Sequence, residues 1–238
     1  MAKLPVLMYH SITTVTNLSK GLTIHVDKLE KQLLYLKNNG YTTLHFKDLE
    51  RFKTAKDLPK KSVIITFDDV YINQLELAYP LFKQHNMKAC FYVPFKFVGD
   101  KNNWDEGEKP IMSVAQLKQL DPSIIELGWH SYGHINYQLS SIDTIALDLK
   151  SCQEFISNNG LELSNTIAYP YGKFPRKNPI NKQFETLLKT NRLEYGLRIG
   201  NRINNFPFKN KYQVQRLDIK GDDTLLKFIW KLKVGKLF

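Results

Sequence analysis

Val63-Ile64-Ile65-Thr66-Phe67-Asp68-Asp69 is an apolar run of strand length that delivers two adjacent carboxylates at its end. Bulky β-branched and aromatic residues without polar alternation describe a strand covered on both faces, as in a parallel sheet. The C-terminal ends of such strands are where α/β sheets and barrels gather their chemistry. Two neighbouring carboxylates repel each other, and a bound metal or a shared proton relieves that repulsion. The plainer reading has one aspartate capping the next helix and the other solvated.

Further runs of the same kind lie at residues 6–10, 43–46, 89–93, 124–129, 166–169, 195–199 and 212–219. Between them, stretches of helical period occupy 27–39, 47–52, 74–86, 113–120, 142–158, 181–191 and 222–232, with Gly40 and Gly160 placed to end two of them. This alternation predicts repeated β–α units around a parallel sheet or barrel. Residues 95–112 have no period and read as a long loop of the kind that often carries function. No repeat, linker or shift in composition divides the chain, so residues 1–238 are expected to form one domain with a basic amphipathic tail at about 222–238.

Composition narrows the function. With 42% apolar and 24% charged residues in 238, wholesale disorder and collagen-like structure are excluded. Cys90 and Cys152 both sit in apolar stretches and read as buried free thiols, which favours a reducing compartment. The apolar strand near the N-terminus is too short for a signal sequence and no run is long enough to span a bilayer, so a cytoplasmic protein, peripheral at the inner membrane face, is expected. The 34 basic against 23 acidic residues leave a net charge of +11, which raises nucleic acid, anionic membrane or an acidic or lipid-linked glycan as partners. The lysines are spread along the chain without helix-turn-helix or zinc-finger spacing, which argues against specific nucleic-acid binding. In the tail, Phe228, Trp230 and Leu232 interleave with Lys227, Lys231, Lys233 and Lys236. This pattern fits either a terminal helix packed with snorkelling lysines or a patch that touches anionic membrane.

Three other stretches carry chemically capable residues. His130-Ser131-Tyr132-Gly133-His134 follows an apolar run, and two histidines with one carboxylate from Asp68 or Asp69 make a three-ligand metal set with open positions. In Tyr169-Pro170-Tyr171-Gly172 a strand breaks, and Gly172 frees the backbone to approach a ligand closely, so that a backbone N–H there could serve an oxyanion. The fourth, Leu7-Met8-Tyr9-His10-Ser11, ends a strand in a histidine that could equally be structural.

Taken in order, Thr66-Phe67-Asp68-Asp69, His130-Ser131-Tyr132-Gly133-His134 and Tyr169-Pro170-Tyr171-Gly172 resemble the first three motifs of the polysaccharide deacetylases, carbohydrate esterase family 4. Val6-Leu7-Met8-Tyr9-His10-Ser11-Ile12 resembles the permuted branch that includes poly-N-acetylglucosamine deacetylases, whose catalytic histidine lies at the N-terminus. No histidine follows His134, which fits that branch. The resemblance implies an α/β fold, a distorted (β/α)7-type barrel, and a metal-dependent hydrolase that removes an N-acetyl group from an amino sugar in a glycan or glycolipid. It implies Asp68 as the base, Asp69, His130 and His134 as metal ligands, and His10 as the general acid.

Those roles suit the reaction. An acetamide is a poor electrophile whose amine must be protonated as it leaves, a task for His10. A metal polarises the carbonyl and acidifies water toward a pKa of ~7, which Asp68 deprotonates, while the Tyr171 N–H helps to hold the oxyanion. Zn²⁺ suits the donor set best, and Co²⁺ or Ni²⁺ also fits it. The chain departs from the family at Val70, where Gly is usual and where a β-branched residue is expected to alter the turn. It departs again at Ala168, where many members carry Arg; Arg216 is the candidate to supply the missing cation, against the alternative of a surface or interstrand ion pair. These departures keep a catalytically inactive glycan-binding protein as the competing reading.

Overall fold

The apolar runs have no polar face to offer water, and the chain buries both faces by laying them side by side. In the computed structural model, which describes residues 1–105 and 107–235, seven of them pair in parallel. Glu106 of the 95–112 loop and Lys236, Leu237 and Phe238 of the expected tail lie outside the described residues. The strands are β1 (Val6–Tyr9), β2 (Ser62–Asp68), β3 (Ala89–Val93), β4 (Ile125–Trp129), β5 (Thr166–Ala168), β6 (Tyr195–Ile199) and β7 (Val214–Asp218). Their order is β1-β7-β6-β5-β4-β3-β2, and pairing of Val6 with Ile64 through Tyr9 with Phe67 joins β2 back to β1. The result is the closed seven-stranded parallel barrel that the resemblance implied.

Alternation along each strand divides the core in two. Val6, Ile64, Cys90, Tyr92, Ala168, Leu197 and Val214 form one cluster, the barrel interior. Leu7, Ile65, Phe67, Phe91, Leu127, Ile167 and Leu217 belong to the other, beneath the helices. The helices are α1 (Val26–Asn38), α2 (Tyr79–His85), α3 (Val114–Lys118), α4 (Ile142–Asn159), α5 (Ile180–Thr190) and α6 (Leu225–Val234). α4 starts where the Ser141 hydroxyl accepts the Thr144 N–H and stops where Gly160 takes φ 54°. Both cysteines are buried and free. Among the described residues, no helix is long and apolar enough to cross a membrane.

Local hydrogen bonding explains where the elements differ from the sequence pattern. The strand expected at 43–46 shrinks to Thr42–Thr43, because the backbone N–H groups of Phe46 and Lys47 donate to the Glu126 carboxylate (3.1 Å each) and the chain then enters a 3₁₀ turn at Lys47–Arg51. The run at 212–219 begins late, at Val214, because Asn210 caps a turn over Lys211–Gln213. The helix at 74–86 opens with a π-type turn, Gln74–Ala78. Two small ladders, Ala2–Leu4 with Asn204–Phe206 and Ser11–Thr13 with Thr23–His25, are too short to show a period.

His45 lies at the N-terminal end of the barrel, wholly buried, with Nε2 3.0 Å from the Ile124 carbonyl. Burial first, then Lys88 and Lys47, lower its pKa to about 4 despite the Ile124 carbonyl and Asp48. Between that value and the unfolded 6.5 the unfolded chain binds the extra proton, so the contribution is complete above pH 6.5 and is lost as pH falls toward 4. It amounts to about 3 kcal/mol. His45→Gln is expected to flatten the acid limb of a urea-midpoint against pH profile between those values; equal acid sensitivity in both proteins would refute the assignment.

Candidate active site

Strand ends set the site. β2 carries Asp68 at its end, and the chain turns sharply there, with Asp69 at φ 75° and Val70 at φ 43°. Val70, expected to change this turn, adopts the positive φ instead. Its side chain is fully buried, its carbonyl accepts the Met112 N–H (2.9 Å), and the Asp69 N–H donates to Tyr92 (3.0 Å). Burial and two backbone bonds thus hold a conformation that costs about 1–3 kcal/mol for a non-glycine residue.

Arg216, from β7, reaches across the barrel and meets Asp68 with two parallel bonds, Nη1 to Oδ1 at 2.6 Å and Nη2 to Oδ2 at 2.8 Å. The guanidinium is completely buried, so it is no surface ion pair. Burial pushes the Asp68 pKa up, but Arg216, His130 and His10 outweigh it and hold the carboxyl below its ordinary value. An ion pair so buried is kept by geometry: removing either partner strands a charge, at a cost of about 3–5 kcal/mol.

Asp69, His130 and His134 are all buried, and one donor atom from each lies within 4.8 Å of the others. The Asp69 Oδ1 is 3.4 Å from His130 Nε2 and 3.5 Å from His134 Nε2, yet it makes no hydrogen bond among the described residues. The His130 Nδ1–H donates to the Ala168 carbonyl (2.8 Å), which leaves the Nε2 lone pair facing Asp69. An unsatisfied buried carboxylate oxygen converging with imidazole nitrogens is the arrangement a divalent cation completes, and the two-histidine, one-carboxylate set fits Zn²⁺ or a similar ion.

The other candidates border this centre. His10, just beyond β1, places Nε2 3.7 Å from Asp68 Oδ2. Burial lowers its pKa, against the pull of Asp68 and Asp69. Tyr171 follows β5 at φ 58°; its N–H finds no acceptor among the described residues, and its ring lies edge-on to His134, 4.9 Å between centroids. Gly172 is required there, since a Cβ would sit 2.6 Å from the Ile199 backbone nitrogen.

Three supporting residues escaped the sequence reading. The buried Gln74 amide donates to the carbonyls of His10 (2.9 Å) and Asp68 (2.6 Å), joining the two strand ends. Trp104, from the 95–112 loop, stacks on His134 at 4.2 Å and 21°. Asp148, on α4, accepts from Ser131 Oγ, Tyr132 N–H, Gly133 N–H and Tyr137 OH (2.8–3.0 Å), and so holds the turn between the two histidines. It had a signal: a charge at 148 on the apolar stripe of Ile145, Leu149 and Cys152. Asp148→Ala is expected to lower stability by about 3 kcal/mol and metal affinity by roughly 10–100-fold. Urea unfolding and a zinc titration read both, and unchanged affinity would show that the turn holds itself.

A separate cavity of about 560 Å³ opens at the opposite, N-terminal end of the barrel, lined by Phe46, Lys47, Glu126, Thr166 and Tyr195 among others; it holds none of the candidate residues.

Comparison with known proteins bears on this geometry. The family model described as polysaccharide deacetylase matches residues 55–190. YxkH of Bacillus subtilis, whose name assigns it to the polysaccharide deacetylases, is 29% identical over 174 residues, 73% of this chain and 58% of its own length. The chain therefore spans less than two thirds of that relative. A poly-beta-1,6-N-acetyl-D-glucosamine N-deacetylase of Staphylococcus aureus is 27% identical over 214 residues, 85% of this chain and 70% of its own. Among solved structures, the deacetylase PplD of Streptococcus pyogenes superposes with a TM-score of 0.81 at 21% identity, covering 98% of this chain and 99% of its own. IcaB from Ammonifex degensii superposes with a TM-score of 0.79 at 21% identity, covering 98% of each chain. At such identities the two superpositions speak for the fold alone.

Proposed function

The chain belongs to the polysaccharide deacetylase family, and from that premise we propose that it hydrolyses the N-acetyl group of an amino sugar within a glycan or lipid-linked glycan. The observation that carries this reading is the juxtaposition of a buried, Arg216-clamped Asp68 with the converging donors of Asp69, His130 and His134. Asp69, His130 and His134 would hold a divalent cation, with Zn²⁺ the proposed ion. When bound, it polarises the acetamide carbonyl and acidifies water.

The chain's own residues do the rest. Asp68, kept ionised and aimed by Arg216, takes the proton from the attacking water. The Tyr171 N–H, which has no acceptor among the described residues, donates to the carbonyl oxygen as negative charge develops there. His10, with Nε2 3.7 Å from Asp68 Oδ2, delivers the proton that the departing amine requires. Trp104 and the half-exposed Tyr171 offer aromatic walls for the apolar face of a sugar ring. A catalytically inactive protein on the same fold was motivated by Val70 and Ala168. Val70 takes a positive φ of the kind glycine favours, and Arg216 brings a guanidinium to Asp68, so neither departure now favours it.

The test is appearance of free amine in step with acetate when the purified chain meets β-1,6-linked N-acetylglucosamine oligomers, run as isolated, after chelation and after Zn²⁺ or Co²⁺ is restored. Chelator-sensitive release of both products supports the reading. A metal-loaded protein that binds the oligomer and releases neither product would favour the glycan-binding alternative.

A further inference from the structure

The sequence offered the tail alone as a membrane contact; the folded chain joins it to a second apolar segment. Among the described residues twelve large apolar side chains are exposed, and seven of them fall in just two stretches, 15–22 and 225–234. These stretches are tied together. The Ser19 hydroxyl donates to the Gly221 carbonyl (3.0 Å), the Gly21 N–H donates to Asp222 (3.3 Å), and Gly221 packs so closely on residues 19–23 that no Cβ would fit.

On α6 the inner face is settled. Phe228 and Leu232 are buried, and Lys231 turns inward to pair with Asp223. The opposite face carries Leu226, 79% exposed, and Trp230, 53% exposed, one helical turn apart. Of the three lysines of α6 only Lys231 turns inward, and the leucine and tryptophan project outward although Phe228 and Leu232 already supply the helix with an apolar inner face, so solvation of this helix does not explain its outer face. Lys20 and Lys233, which lie within these two stretches of the chain, are exposed, and Lys227, more than half exposed, is paired with Asp223 (2.9 Å). Leucine and tryptophan flanked in the chain by exposed lysine is the chemistry of an interfacial anchor, and the chain's charge of +11 complements anionic lipid over neutral lipid.

The patch also adjoins the mouth of the site. Segment 11–25 begins directly after His10; the Ile12 N–H donates to Asn73 (3.0 Å), and Thr23 accepts from Lys109 (3.0 Å) of the loop that carries Trp104. We propose that Leu18, Leu22, Leu226 and Trp230 dock the chain on an anionic lipid surface and set the rim of the cleft beside the headgroups. A substrate carried on a lipid would then reach the site by diffusion in the plane of the bilayer. Docking is independent of the deacetylase reading, since it is measured without turnover.

The test is co-sedimentation of the full chain with vesicles of phosphatidylcholine alone and of phosphatidylcholine mixed with phosphatidylglycerol. The wild type is expected to sediment with the anionic vesicles and to be released by salt. Leu226→Ser with Trp230→Ser should lower binding by about tenfold or more, and Lys20→Glu with Lys233→Glu should remove the preference for anionic lipid. Leu139→Ser, an exposed leucine elsewhere, should leave binding unchanged. Unaltered melting temperatures show that the substitutions spare the fold. Failure to bind anionic vesicles, or undiminished binding by the Leu226 and Trp230 variant, would overturn the proposal. So would a concentration-dependent dimer abolished by the same substitutions, which would assign the face to a second copy of the chain.

Discussion

Asp68→Asn is expected to lower turnover by about 10³-fold, the scale of a lost general base, while metal content stays at the wild-type level. Asparagine keeps the size of the side chain but has no proton affinity near neutrality, and Asp68 is not among the converging metal donors. The change also leaves the fully buried Arg216 with a neutral partner where it had a carboxylate, so a lower melting temperature should accompany the loss. The two effects separate. A folded, metal-loaded Asp68→Asn protein with a collapsed kcat and a modestly altered KM identifies a chemical role, because loss of folding alone would scale activity with the folded fraction. Activity within about tenfold of wild type would remove Asp68 from the base position.

Substitution of His134 by alanine is expected to have the other large effect, reducing activity to the level of the chelated wild type. Its Nε2 is one of three converging donors, and Asp69 Oδ1 would lose one of its two imidazole neighbours. Linkage gives a readout independent of activity. At roughly a hundredfold excess over Kd, a ligand bound only by the folded state adds about 2.7 kcal/mol of stability. Zinc should therefore raise the melting temperature of chelated wild type and leave that of His134→Ala unmoved. An equal zinc-induced rise in both would place the metal elsewhere.

How far the sequence could be read depends on whether a residue's partners are local. Asp68, Asp69, His130, His134 and Tyr171 were legible because each follows a strand whose apolar run shows its end, and parallel strands of one barrel bring those ends together. Arg216 was a candidate only because Ala168 left a cation missing; its bond to Asp68 joins residues 148 apart and no local pattern encodes it. Gln74 and Trp104 gave no signal, since a buried amide and a loop tryptophan read as ordinary until the fold shows what they touch. The strand expected at 43–46 failed for a related reason: its backbone donors found the Glu126 carboxylate, about eighty residues away, in place of a neighbouring strand. Val70 shows local conformational preference overruled by packing, with a fully buried β-branched side chain held at positive φ.

The most direct test of the account is a titration of chelated, purified protein with zinc, following bound metal and acetate release from N-acetylglucosamine oligomers together. The account predicts that activity rises in proportion to bound zinc and saturates at one metal per chain, and that Asp69→Ala shows neither the binding nor the activity. Full acetate release with no metal bound, or tight binding of one equivalent by Asp69→Ala, would contradict it.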